Sequence, residues 1–206
     1  AASVTDTTGV PLDPSFRTAS FVGYTSPAGI ILNEVDYDQV GTDNAELVEV
    51  FNPTGAAINV AGVSIVMVNA SNGLEYSRVT LTGTLPAGGY AVAGSPLVSA
   101  PGAAIVVPLP LAVNAIQNGM PDIILLLGPA GELLDAVSYE DPTGAVPSVV
   151  VSGITYDLAL AGAATGAADA DAAPGSIARL PNGVDRNLPF MDWAFTATPT
   201  PGAPNM

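Results

Sequence analysis

From Gly29 onward the chain alternates short apolar runs with turn-forming residues. Gly29–Tyr37, Glu46–Asn52, Val63–Asn69, Tyr76–Leu81, Gly89–Ala93, Ala104–Val107, Asp122–Leu127, Leu133–Tyr139 and Ser148–Val151 are rich in Val, Ile, Leu and Tyr. Each run is bounded by Gly, Pro, Asn or Asp, the punctuation of strands closed by turns. Between the seventh and eighth runs, Gly128-Pro129-Ala130-Gly131 reads as a hairpin loop. No stretch repeats apolar residues at i, i+3, i+4 and i+7 with caps, so no long helix is predicted. About nine short strands at this spacing predict an all-β chain folded as a β-sandwich.

Three regions break the rhythm. Residues 1–28 form a polar arm containing Pro and Gly, with one apolar patch from Phe16 to Tyr24. Residues 157–175 are rich in Ala and Gly; they carry too few large side chains for a core and read as a loop inserted in a 29–206 sandwich. The tail from Thr196 to Met206 repeats Thr-Pro and is predicted to be extended. The longest apolar stretch, Ala103 to Leu127, is interrupted by Pro108, Pro110, Pro121 and Asp122, which excludes it as a membrane span.

Charge narrows the chemistry. The 206 residues include 19 acidic side chains, no cysteine and no histidine, and the four basic residues are all arginines: Arg17, Arg78, Arg179 and Arg186. Thiol nucleophiles, Ser-His-Asp triads, zinc fingers and haem histidines are thereby excluded. So are Schiff-base and P-loop lysines. A net charge of −15 argues against nucleic acid and anionic lipid as partners, since both are bound through clustered Lys and Arg. The opening Ala1-Ala2-Ser3 resembles what signal-peptide cleavage leaves behind, so the expected location is extracellular or on the cell surface. Lack of cysteine is compatible with export by a prokaryote.

Six local words occur in order along the chain. They are I-L-N-E-V at 31–35, E-L-V-E-V-F-N-P at 46–53, L-P-A-G-G-Y-A-V-A at 85–93, G-E-L-L-D-A-V-S-Y at 131–139, G-S-I-A-R-L-P-N-G at 175–183 and T-P-T-P-G-A-P-N at 198–205. Together they resemble the lamin tail domain family, over Gly29 to Asn205. The resemblance implies an immunoglobulin-like sandwich of the kind found in nuclear lamins and in exported prokaryotic proteins. It also implies a binding, scaffolding or assembly role in place of catalysis. One departure is Val63 after Gly62, where many members carry an aromatic residue; that alters core packing and leaves the fold intact.

The sharpest chemical feature is an acidic cluster. Glu34, Asp36, Asp38, Asp43, Glu46 and Glu49 fall within sixteen positions, and no arginine lies between Arg17 and Arg78. On a strand, residues 34, 36 and 38 share one face. Such a set suits calcium (Ca2+), which takes six to eight hard oxygen ligands in tolerant geometry. The run from Asp36 is not an EF-hand, because Val40 and Leu47 occupy ligand positions, so a site must be assembled between loops. The competing reading is a solvated acidic rim with Glu34 and Glu49 satisfied by turn backbone or by Arg78. A second candidate set is Asp169, Asp171, Asp185 and Asp192, which Arg179 and Arg186 are close enough to pair with instead.

An enzyme here would need a pair of carboxylates, and Glu34 with Glu49 is the pair on strands that can adjoin. Aromatics are only 6% of the chain, with one tryptophan, Trp193, so an aromatic sugar cleft is not expected and neither is catalysis. Trp193 is predicted to pack in the core or at an edge, near Phe190 and Phe195. In the arm, Phe16, Ala19, Phe21, Val22 and Tyr24 form an apolar run suited to adding a strand, either to another subunit's open edge or back onto the chain's own sandwich. Repeated head to tail, the first contact gives an open filament. The expected function is a non-catalytic extracellular assembly module, self-associating through its arm and stabilised by calcium. The alternative is a monomeric adhesion module for a polysaccharide or a cell-surface protein.

Overall fold

A computed structural model of the chain describes residues 29–119, 121–140, 148–158, 167–170 and 172–206. The arm with Phe16, Ala19, Phe21, Val22 and Tyr24, and Asp171 with most of the Ala/Gly loop, lie outside the described residues. The strands are β1 (Ile31–Asp36), β2 (Leu47–Phe51), β3 (Ile58–Asn59), β4 (Ser64–Asn69), β5 (Leu74–Thr80), β6 (Thr84–Leu85) and β7 (Tyr90–Gly94). They continue as β8 (Ile105–Pro108), β9 (Asp122–Leu127), β10 (Leu133–Tyr139), β11 (Val149–Val151), β12 (Ile154–Tyr156), β13 (Ser176–Arg179) and β14 (Trp193–Thr196). One four-residue helix, α1 (Pro189–Asp192), leads into β14. No described helix is long and apolar enough to cross a membrane.

Six strands form one sheet in the order β14-β13-β1-β2-β7-β8, and four form a second in the order β10-β9-β4-β5. Every pair is antiparallel except β7–β8. Leu32, Val35, Val48, Val50 and Ile177 of the first sheet share a core with Ile65, Met67, Ile124, Leu126 and Val137 of the second. The chain is therefore all-β and sandwich-like, as the apolar runs predict. The loop at 128–131 joins β9 to β10 as a tight hairpin: Gly128 N–H donates to Glu132 O, and Gly131 sits at a φ of 83° that glycine adopts without strain.

The runs at 65–68 and 123–127 are apolar at every position, where a strand with one wet face would alternate. The reason is a third layer. Val66, Val68, Ile123, Leu125 and Leu127 on the outer face of the four-stranded sheet are covered by Val149, Val151 and Tyr156 of the β11–β12 hairpin. β9 and β4 are consequently buried on both sides. Trp193 is buried, whereas Phe190 and Phe195 are exposed by 60% and 41% and do not share its pocket.

Candidate functional site

The six sequence words meet in space. Leu32 N–H donates to Asp135 Oδ2, and Arg179 reaches the same oxygen from β13 at 2.8 Å while its Nε–H donates to Leu32 O. Asp135 thus ties the four-stranded sheet to the six-stranded one. Asn33 donates to Glu49 and Asn182, and its own Oδ1 accepts from Gly183 N–H. Asn182 donates to the Tyr90 hydroxyl, and Asn205 donates to Asn33 O and Arg179 O. Each word supplies at least one member of this network, so the letters that make the words distinctive are engaged with one another inside the molecule.

Glu34 and Glu49 stand directly opposite each other on β1 and β2, both fully buried. The C-terminal tail lies over them. Thr200 N–H donates to Glu34 at 2.9 Å, Gly202 N–H donates to Glu49 Oε2 at 2.6 Å, and Ser176 Oγ–H donates to Glu34. Gly202 has a φ of 80°, and a Cβ there would fall 2.6 Å from Ala103 N, so only glycine lets the tail pass this close. Burial pushes the Glu49 carboxyl up to about 8 and that of Glu34 upward too, against the donors that favour the ionised forms. Glu46 holds a different segment: both its oxygens accept backbone N–H groups, from Ala115 and Ile116, at 2.7 Å. These three glutamates serve as anchor points for loops and tail, and backbone donors satisfy Glu34 and Glu49. Arg78 pairs with Glu75 instead.

The remaining acids gather where β1 ends. Val35 points into the core, so Glu34 and Asp36 share the other face, while Asp38 lies beyond the strand. Asp36 accepts from Gln39 Nε2, and Asp169 comes close enough to repel it. Burial, reinforced by Asp169 and Glu34, raises the Asp36 carboxyl to about 8; burial raises Asp169 to about 6. The Tyr37 hydroxyl accepts from Asp169 N–H at 2.7 Å, and Asp169 Oδ2 has no hydrogen-bond partner. Asn118 donates to both Asp38 Oδ1 and Asp43 Oδ2 at 3.1 Å, and Asp43 Oδ1 accepts from Gln39 N–H. Beside this group opens a cleft of about 540 Å³, lined by Asp43, Asn69, Asn114, Gln117, Asn118 and Asp122 among others.

The second predicted set divides between the two ends. Asp169 joins Asp36 and Asp38, while Asp185 and Asp192 lie with the arginines: Arg179 bonds Asp185 at 3.2 Å, and Arg186 bonds Asp192 at 2.8 Å. Among the described residues, no group of three acids is arranged to hold a metal ion by itself. Sequence reasoning singled out neither Asn118 nor Asp122. Asp122 had a signal, being the one charged residue leading an otherwise apolar strand. No family model matches the chain, and no curated protein matches it. The arrangement offers buried carboxylates covered by backbone, an oxygen-lined cleft, and an apolar rim at α1 and β14.

Proposed function

We propose that the chain is a non-catalytic structural module of the cell exterior, with an immunoglobulin-like sandwich of the lamin tail domain type, and that copies join by strand addition. The run Phe16–Tyr24 of one copy is the added strand. The observation that carries this reading is the edge at β14. Among the described residues β14 pairs only with β13, and beside it Leu188, Phe190, Met191 and Phe195 expose 50%, 60%, 68% and 41% of their surface. An unpaired strand flanked by exposed apolar side chains is a template for another strand. The carboxylates that an acid-base enzyme would need at 34 and 49 lie under the C-terminal tail, which supports a role without catalysis.

A strand added at β14 covers those side chains with the arm's own apolar run, and the contact is heterologous, so it propagates as an open filament. The test compares the full chain with the double variant Phe21→Asp/Val22→Asp and with Phe195→Asp, by sedimentation velocity and electron microscopy. Large assemblies are expected for the unaltered chain and monomers for both variants. A monomeric unaltered chain at all concentrations sinks the reading.

A further inference from the structure

Asp122 opens β9 and is fixed there by the ladder, opposite Asn69 of β4 on one side and Tyr139 of β10 on the other. It lines the cleft, its Oδ2 facing Gly119. The residue is only 2% exposed, yet its Oδ1 takes no hydrogen bond. A buried carboxylate oxygen without a donor is costly, and the usual remedy is a cation. The protein offers none here among the described residues. Arg78 is held by Glu75, and Arg179 and Arg186 are engaged with Asp135, Asp185 and Asp192 where β1 begins.

The rest of the cleft supplies oxygen. Asp43 also lines it, and a carboxylate that accepts two hydrogen bonds retains acceptor capacity. Asn118 spends its amide hydrogens on Asp38 and Asp43, which leaves its Oδ1 to act as a ligand; Asn114 lines the same space. We infer that this cleft is a calcium site in which Asp122 and Asp43 are the anionic ligands, the amide oxygens of Asn118 and Asn114 are neutral ones, and water completes the shell. Calcium fits better than magnesium because it accepts six to eight oxygens in irregular geometry, whereas magnesium demands a tight octahedron. Two carboxylates instead of three or more place the site among weak extracellular calcium modules, with a dissociation constant on the order of 10⁻⁴–10⁻³ M. The set differs from Glu34, Glu46 and Glu49, which lie away from this cleft lining and hold the tail and the 115–116 segment through Thr200, Gly202, Ala115 and Ile116. It is also independent of assembly, because a chain that remains monomeric still binds the ion.

The experiment is calorimetric titration of the chelator-treated chain with CaCl2, together with melting in CaCl2, in MgCl2 and in NaCl of equal ionic strength. A dissociation constant in the stated range is expected, with a rise in melting temperature of roughly 3–8 °C in excess calcium and less in the other salts. Asp122→Asn should weaken calcium binding at least about tenfold while melting no lower than the unaltered chain without calcium, since the amide removes an unpaired buried charge. Should that variant fail to fold, terbium emission from the unaltered chain decides. Tyr76 and Tyr139 hold the backbone of Gln117 in the cleft lining through their hydroxyls, at 3.0 and 2.9 Å, and would sensitise a bound terbium that calcium then displaces. Absence of both calcium heat and terbium emission overturns the site. So does equal stabilisation by NaCl, or an Asp122→Asn chain that binds calcium like the unaltered one.

Discussion

The two ends of the sandwich each collect acidic side chains and neutralise them differently. Where β1 begins, Asp135, Asp185 and Asp192 surround Arg179, whose fork reaches two of them within 3.2 Å, lies 3.8 Å from the third, and stacks over Trp193 at 5.1 Å. Where β1 ends, Asp36, Asp38, Asp43, Asp122 and Asp169 are met by Asn118, Gln39 and backbone, with no arginine among the described residues. Burial alone does not explain the contrast, since Asp135 and Asp122 are exposed by only 4% and 2%. Position in the architecture does. Asp135 joins two sheets by accepting from both Arg179 and the N–H of Leu32, and that arginine counters the upward push of burial on its carboxyl; Asp122 faces a cleft and holds nothing across the sandwich. An acidic cluster is thus a structural device at one end and, at the other, a set of carboxylates that no arginine among the described residues meets.

Removing the cation from the first end should give the largest effect. Arg179→Met leaves Asp135 buried without its cation, while Asp192 keeps Arg186, at a cost of about 3–5 kcal/mol. For a chain of this length that is a fall of roughly 10 °C in melting temperature. Arg179→Lys should fall between, because an ammonium keeps the charge and loses the planar fork. Arg78→Ala is the internal control: its pair with Glu75 has the same 2.8 Å geometry but lies at the surface, where such pairs contribute up to about 1 kcal/mol. If Arg179→Met melts like Arg78→Ala, the hub does not join the sheets.

The second end should reveal itself through pH. Burial raises Asp36 to about 8 and Asp122 to about 7 in the folded chain, above the ordinary value of about 4. The folded state then binds more protons at these two acids than the unfolded one between those limits, so the stability they contribute is fully present below about pH 4 and is lost as pH rises towards 8. A fall in melting temperature on the order of 5–10 °C between pH 5 and pH 9 is expected. The double variant Asp36→Asn/Asp122→Asn should make the curve shallower, with the remaining slope coming from Glu49 and Asp169, whereas Arg179→Met should lower it throughout. A flat profile for the unaltered chain would mean that these acids are better solvated than their burial indicates.

Sequence alone exposes β4 and β9 of the four-stranded sheet, because burial on both faces makes them nearly unbroken apolar runs. It conceals β13 and β14, four residues each, since Ser-Ile-Ala-Arg and Trp-Ala-Phe-Thr carry too few letters to show alternation. The run Ser148–Val151 is visible, but its return strand Ile154–Tyr156 is short and ends where the Ala/Gly loop begins. The acidic cluster is equally visible as composition, while its sorting is not. Pairing partners lie far apart in the chain: Glu46 with Ile116, Asp135 with Arg179, Glu34 with Thr200. Only the fold decides which carboxylates receive backbone donors, which receive arginine, and which are left to a cleft.

Glu49 lies between these extremes and gives the smallest effect. It has two good donors, Asn33 Nδ2 and Gly202 N–H, and a like-charged neighbour in Glu34. Glu49→Gln keeps the shape and one acceptor oxygen, but turns its amide nitrogen towards one of the two donors. It also abolishes the repulsion with Glu34 that appears when both are ionised. The two changes oppose each other, so the net cost should be about 1 kcal/mol at pH 6 and smaller at pH 9, where the unaltered glutamate is ionised. Hydrogen exchange localises the effect. The Gly202 amide should lose protection because its acceptor is weakened, while Val92, opposite Glu49 in the ladder, should not. Glu49→Ala, which deletes the acceptor outright, should expose the tail from Thr198 onward to proteolysis. Unchanged protection at Gly202 in both variants would show that the tail is held by its apolar and proline contacts, and that the buried glutamate pair tolerates the tail without anchoring it.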